Sequence, residues 1–194
     1  MKFKHSIFFM SNEKFLNELI VTGKLVSISK KKDSFVVKTK SGSADVFPCF
    51  HCNEKDISAF SVNNYITVKG FVNPIETKSN SLAFIATEIK PALTYSEESF
   101  DVKGRTYEFK NRVYTKGIIK SVEKHVNSEW LSVKISIDDD NNKNIAILIQ
   151  NPSIFPRLEL KMNICIVGRI FTKEKSKKYF QNIIANDIGL LSVS

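Results

Sequence analysis

The sequence predicts a mainly β protein: two tandem five-stranded Greek-key barrels with a short helix ahead of the first. Three observations predict it. First, the chain repeats itself. Thr22-Gly23-Lys24-Leu25-Val26-Ser27-Ile28 returns as Thr115-Lys116-Gly117-Ile118-Ile119-Lys120-Ser121-Val122, Val68-Lys69-Gly70-Phe71-Val72 as Val167-Gly168-Arg169-Ile170-Phe171, and Ile85-Ala86-Thr87-Glu88-Ile89 as Ile184-Ala185-Asn186-Asp187-Ile188. The offsets of 94, 98 and 99 residues are domain-sized, well beyond the ~20–50 residues of a solenoid unit. Second, apolar and polar residues alternate with the period of strands through most of both copies. Third, each copy places three strands, an irregular or helical break and then two strands in under about 100 residues, which is the plan of the OB-fold.

Along the first copy, Ser11 or Asn12 caps a helix over residues 11–20, with Phe15, Leu16 and Leu19 on one face. Strands follow at 19–28, 35–39 and 44–47, separated by the polar turns Ser29–Asp33 and Ser41–Ser43. Residues 53–62 suit a helical turn or two. Strands at 65–72 and 82–89 complete the unit, with a loop at 73–81 opened by Pro74. The second copy repeats the plan with strands at 112–122, 129–137, 143–150, 163–171 and 179–187, and the segment 151–161 in place of the helix. The predicted domains are therefore 1–92 and 111–194, joined by a polar linker at 93–110 that holds at most a short strand near Thr106–Phe109. Gly23, Gly70, Gly117 and Gly168 fall inside strand patterns, where glycine marks a bulge or a sharp barrel bend.

The net charge of +9 in 194 residues is shared evenly: 13 basic and 9 acidic side chains in residues 1–97, 16 and 11 in residues 98–194. An even excess fits a long polyanion touching both copies; solubility and a Lys/Asn-rich coding bias are the plain alternative. Cys49, Cys52 and Cys165 do not make a disulfide framework, which with the short apolar run at Ile7–Met10 and the lack of a ~20-residue apolar stretch implies a soluble cytoplasmic protein with no membrane partner. Cys49-Phe50-His51-Cys52 is half of a zinc knuckle without its second half, so it is read as packing and no metal or cofactor is expected. No nucleophile motif and no phosphate-binding loop occurs, and nothing calls for an enzyme.

Alternation selects the surface that does the chemistry. In Glu129–Ile137 the residues Leu131, Val133, Ile135 and Ile137 form the core face, leaving Trp130, Ser132, Lys134 and Ser136 outside. An aromatic ring and a cation on an exposed sheet are what a single-strand binder uses, the base stacking on the ring and the lysine meeting the phosphate; a domain contact would also use such a tryptophan. The same alternation turns Lys69 and Phe71, and Arg169 and Phe171, outward on corresponding strands, and puts Tyr114, Lys116 and Lys120 on one side of another. Two loops add charge: Lys30-Lys31-Lys32, and Lys173, Lys175, Lys177 and Lys178 beside Tyr179 and Phe180, in the loop with which OB-folds hold oligonucleotides. Asp138-Asp139-Asp140 lacks the spaced ligands of a calcium loop and is read as a turn.

Asn111-Arg112-Val113-Tyr114-Thr115-Lys116-Gly117-Ile118-Ile119 resembles the opening strand of bacterial single-stranded DNA-binding proteins. Met162-Asn163-Ile164-Cys165-Ile166-Val167-Gly168-Arg169-Ile170 and Tyr179-Phe180-Gln181-Asn182-Ile183-Ile184-Ala185-Asn186-Asp187 resemble that family's last two strands. The resemblance covers 111–190 and reaches the first copy only through the repeat. It implies an OB-fold that binds single-stranded DNA by stacking and Lys/Arg contacts, without a cofactor, and Trp130 falls near that family's strand tryptophan. The chain departs from the family in ending at Leu190-Leu191-Ser192-Val193-Ser194 in place of a Gly/Pro-rich acidic tail, and in carrying two copies, which suits a monomer or a homodimer. A divergent protein of a phage or mobile element fits those departures. The expected function is single-stranded DNA binding with little sequence preference in replication or recombination. The alternatives are an adaptor docking on a polymerase, helicase or primase, and an RNA binder.

Overall fold

The computed structural model describes residues 16–75, 82–92, 100–101, 106–107, 111–125, 128–140, 143–175 and 178–191. Strands β1 (Leu16–Ile28), β2 (Ser34–Ser41), β3 (Ala44–Val46), β4 (Cys49–His51), β5 (Tyr65–Pro74) and β6 (Leu82–Pro91) come from the first copy, with one helical turn, α1 (Glu54–Ile57), between β4 and β5. A two-stranded pair, β7 (Phe100–Asp101) and β8 (Thr106–Tyr107), lies in the predicted linker. The second copy supplies β9 (Asn111–Lys124), β10 (Trp130–Ser136), β11 (Asn144–Gln150), β12 (Asn163–Lys175) and β13 (Lys178–Leu190), with a 3-10 turn at Pro152–Ile154 between β11 and β12.

The pairings close on themselves. β1 pairs with β2, β2 with β4, β4 with β6, β6 with β5, and β5 with β1 again. In the same way β9, β10, β11, β13 and β12 return to β9. In each ring the third and fifth strands, β4 with β6 and β11 with β13, run parallel, and the remaining neighbours run antiparallel. The third strand of the first ring breaks at Phe47-Pro48 into β3 and β4 because proline cannot donate to a ladder. Inside the first ring Phe35 stacks on Phe50 at 5.4 Å and Phe50 tilts against Phe84 at 6.0 Å. The second ring is filled with isoleucines, among them Ile135, Ile145, Ile147, Ile149 and Ile183.

The repeat survives in the irregularities of the ladders. The β1–β2 register skips Val26 and the β9–β10 register skips Lys120, 94 positions on. The β5–β6 register skips Thr87 and the β12–β13 register skips Asn186, 99 positions on. The glycines mark the same places. A Cβ on Gly23 would lie 2.2 Å from the Lys38 carbonyl oxygen, and one on Gly117 would lie 2.1 Å from that of Ser136. On the fourth strands, a Cβ added at Gly70 would lie 1.9 Å from the Ile85 carbonyl oxygen, and one at Gly168 would lie 2.8 Å from that of Ile184. Bulges and close backbone approach are how a short sheet bends into a barrel.

The rings are joined edge to edge. β1 and β9 form an antiparallel ladder from Leu16↔Lys116 to Val21↔Asn111. Leu19 there pairs with Val113, its own counterpart 94 positions on, so the ladder has a local pseudo-two-fold at that pair. The expected helix over residues 11–20 is corrected by this ladder: residues 16–20 are strand, while 11–15 lie outside the described residues. Two asparagines flank the pseudo-axis. The Asn17 amide donates to the Val72 carbonyl (2.6 Å) and accepts from the Val72 N–H (3.0 Å). Asn111 does the same to Ile170, at 2.9 and 2.9 Å, and also donates to the Lys40 carbonyl (2.8 Å). Each amide thus stands in for a strand where β1 or β9 leaves its own ring for the ladder.

Asn111→Ala is expected to cost about 2 kcal/mol, because it strands buried backbone groups that this side chain satisfies. Asn17→Ala, at a more open site, is expected to cost less. Urea titration of both variants checks the order.

Candidate nucleic-acid interface

The outer face of the second ring is built by register. Directly opposed residues of an antiparallel pair share a face. β10 therefore sets three rows: Gln150 beside Trp130, Leu148–Ser132–Glu123, and Ala146–Lys134–Ser121. His125 donates its backbone N–H to the Trp130 carbonyl at 3.1 Å and extends the first row. Trp130 is half-buried and Lys134 exposed, roughly 13 Å apart along the strand at ~3.3 Å per residue. The facing side of β10 holds Val133, Ile135 and Ile137 in the core, as the alternation predicts. Leu131 is only partly buried. Ser136, expected outside, is buried instead and bonds to the Asp138 carbonyl at 3.2 Å. The Asp138 carboxylate in turn accepts the Lys143 N–H at 3.1 Å, which makes the acidic run a hairpin turn.

The face continues onto β12 and β13. β11 meets β13 at Ile147↔Ile183 and Leu148↔Ile184, which puts Asn182 level with Ala146 and Lys134. Across β13, Asn182 pairs with Phe171 and Phe180 with Lys173. Phe171 is half-buried, Lys173 is exposed and Phe180 is 51 % exposed. A track thus runs from Trp130 through Lys134 and Asn182 to Phe171, Lys173 and Phe180. Lys173 is not in any ion pair, and neither is Lys134, among the described residues.

β12 and β13 run on to Lys175 and Lys178 as an arm, so the predicted basic loop is mostly strand. Lys175 pairs with Lys178 and Glu174 with Tyr179 in backbone register; Lys177 lies outside the described residues. The opposite side of the arm meets the first ring, where the Thr172 hydroxyl accepts the Phe47 N–H (2.8 Å) and the Gln181 side-chain oxygen accepts the Cys49 N–H (2.8 Å).

The other expected site residues stand elsewhere. Lys116 is only 3 % exposed, pairing in register with Leu16 and Cys165, so it does not belong to an open surface. Tyr114 lies on the same inter-ring ladder, opposite Glu18, at the far end of β9 from Trp130. The Arg169 guanidinium reaches the first ring through Ser41 (Nε–Oγ 2.9 Å) and also donates to Asn186. Burial holds its pKa below the usual arginine value. Lys69 is exposed but tied to Glu88 at 3.4 Å, and Lys90 shares the same carboxylate. Phe71 is 36 % exposed, across from Ile85. Lys30, Lys31 and Lys32 are exposed on the β1–β2 turn, with Lys32 4.0 Å from Glu54. Lys173 and Phe180 are both expected from the sequence as parts of a basic loop, and the hairpin register sets them opposite each other on a strand face; His125 and Gln150 are not apparent from the sequence.

Cys49 and Cys52 are thiols. Among the described residues no group of three or more His, Cys, Asp and Glu is placed to hold a metal ion, and no helix is long and apolar enough to cross a membrane. Burial, then Asp56 and Asp33, push the Cys52 thiol up to about 11, and burial raises Cys49 as well. Because the thiolate is the nucleophile and a more basic thiolate attacks faster, Cys52 is expected to react with iodoacetamide at pH 8 about 10-fold more slowly than an unperturbed cysteine. Peptide mapping of a timed alkylation measures this.

A closed ring whose third and fifth strands are parallel and whose fourth returns to the first defines the class: this is an OB-type β-barrel protein. No family model matches the chain and no curated protein matches its sequence. Among solved structures it is similar to the wild-type single-stranded DNA-binding protein from Thermus aquaticus, with a TM-score of 0.62 at 11% identity over 94% of this chain and 96% of that one. A deletion mutant of the same Thermus aquaticus protein gives 0.62 at 10% identity, over 93% and 97%. The fold is therefore that of a single-stranded-DNA-binding-protein-like OB barrel. A murine DNA-binding protein bound with double-stranded DNA aligns at a TM-score of 0.31, 9% identity, over 92% and 100%, a value that carries no weight for the fold.

Proposed function

We propose that the two rings are tandem OB barrels and that the chain binds single-stranded DNA with little sequence preference, as a non-catalytic protein of replication or recombination. The observation that carries the proposal is the outer track of the second ring. It offers half-buried Trp130, exposed Phe180 and half-buried Phe171 for stacking, interleaved with Lys134 and Lys173, which form no ion pair among the described residues. Every base has a π-face, so stacking reads no sequence, and the lysines meet phosphates that are present in every strand. Trp130 and Lys134 lie on the second strand of the ring, part of the face with which OB-folds bind oligonucleotides. Lys173 and Phe180 stand beside the loop between the last two strands, which OB-folds also use. The whole-length likeness to the Thermus protein supports the choice of ligand. Trp130 is the only tryptophan, so its fluorescence reports the site. Oligo-dT at low salt is expected to quench it saturably; an unchanged spectrum with no measurable affinity rejects the proposal.

A second reading, an adaptor that docks on a replication enzyme, is favoured by one observation. Ile154 and Leu160 are 74 % and 61 % exposed on the connection between β11 and β12. Ile154→Ser/Leu160→Ser would then lose binding to a purified polymerase, helicase or primase while keeping its affinity for oligo-dT.

A further inference from the structure

We infer, building on the single-strand proposal above, that DNA is gripped by one ring, and that the corresponding face of the first ring serves as the bed for the arm. The two faces can be compared position by position. Gly23 abuts Lys38 and Gly117 abuts Ser136, so Lys38 corresponds to Ser136, Val36 to Lys134 and Lys32 to Trp130. Where the second ring presents a tryptophan and, on the same strand, a lysine with no ion pair among the described residues, the first presents Lys32 on the β1–β2 turn, 4.0 Å from Glu54, and Val36 on β2. Val36 pairs with half-buried Cys49, whose backbone N–H is taken by Gln181 from the arm. The neighbouring Phe47 N–H is taken by Thr172. The middle of the first ring's face is thus engaged by the second ring.

Charge pairing points the same way. On the first ring's strands the exposed cations are gathered around acids. Asp45 binds Lys38 at 2.8 Å and Lys40 at 2.6 Å, and hydrogen bonds from those two lysines hold its pKa below the usual carboxylate value. Glu88 binds Lys69 and Lys90, and its pKa is lowered in the same way, first by Lys90. A lysine already neutralised by a carboxylate has fewer counterions to release when a phosphate arrives, so it contributes less to binding. Lys134 and Lys173 carry no such partner among the described residues, and each stands in a track with an aromatic ring. Lys30 and Lys31 are exposed on the β1–β2 hairpin turn of the first ring.

The test is a pair of double variants that remove the same two positive charges from the net +9. Lys134→Gln/Lys173→Gln is expected to lower the slope of log Kobs against log salt for oligo-dT by about 1.4, at ~0.7 per lost phosphate contact on a single strand. Lys38→Gln/Lys90→Gln is expected to change it by less than about 0.4. Equal losses in the two doubles overturn the one-ring grip while leaving single-strand binding intact; no binding by the wild type overturns the underlying proposal itself. An oligo-dT length series gives an independent reading. One ring predicts affinity that levels off within about 4–16 nucleotides, the site size of a single OB barrel. A continued steep rise to twice that length contradicts the inference.

Discussion

Gly117→Ala is expected to destabilise the chain by about 4 kcal/mol or more, near the limit of what single substitutions do. The added Cβ would sit 2.1 Å from the Ser136 carbonyl oxygen, 3.0 Å from its carbon and 3.5 Å from the Ile135 side chain. The obstacle is backbone in a hydrogen-bonded strand, not the mobile end of a side chain, so relief requires the β9–β10 crossing to open. That crossing carries the bulge at Lys120 and leads directly into the row of Ser121 and Lys134. Gly42→Ala is the contrast: nothing lies within 4 Å, but φ is +62°, so left-handed strain of about 1–2 kcal/mol is the expected cost. At roughly 2–4 °C per kcal/mol for a chain of this size, the two variants separate clearly in a thermal melt. A Gly117→Ala protein as stable as Gly42→Ala would show that β9 and β10 do not approach as described.

Trp130→Ala/Phe180→Ala is expected to produce the largest loss of DNA affinity. Each aromatic side chain offers a stacking platform worth ~1–3 kcal/mol per base, so each removal weakens binding by about 5- to 150-fold. The two stand at opposite ends of the track, on β10 and β13, so their effects are expected to add. Trp130→Phe keeps a π-face and is expected to recover most of the loss at that end, which a purely structural role for the indole would not predict. Anisotropy of a labelled oligo-dT measures all three proteins. Because Phe180 is half exposed and Trp130 lies on the outer face, the melting temperature is expected to move little. A double variant with unchanged Kd would remove stacking from the account.

Much of this architecture was legible locally. The alternation around Val133 and Ile135 separates core from surface on β10 because one face of a barrel strand is always inside. The glycines of both copies marked the bends, since a Cβ at any of them would run into a carbonyl oxygen of the neighbouring strand. What escaped was decided by residues far away in sequence. Phe15, Leu16 and Leu19 have helical spacing, yet residues 16–20 become strand because β9, nearly a hundred positions on, supplies the ladder. Lys116 alternates outward and is still buried, because its strand joins two rings. Arg169 and Lys69 also point outward, but their partners Ser41 and Glu88 lie on other strands. Lys173 and Phe180 look like neighbours in a loop; only the hairpin register makes them opposite one another on a strand face.

The measurement that bears most directly on the account is an equilibrium competition for the wild-type protein among oligo-dT, oligo-rU and a duplex of matched length, repeated across a salt series. Oligo-dT is expected to bind saturably at low salt, with a linear fall of log Kobs against log salt. A duplex is expected to bind at least about tenfold more weakly, because paired bases do not offer their faces to Trp130 and Phe180. Stronger binding to rU than to dT would move the function to RNA on the same track. A duplex that competes as well as the single strand, or the absence of any single-strand affinity at low salt, would contradict the single-strand proposal.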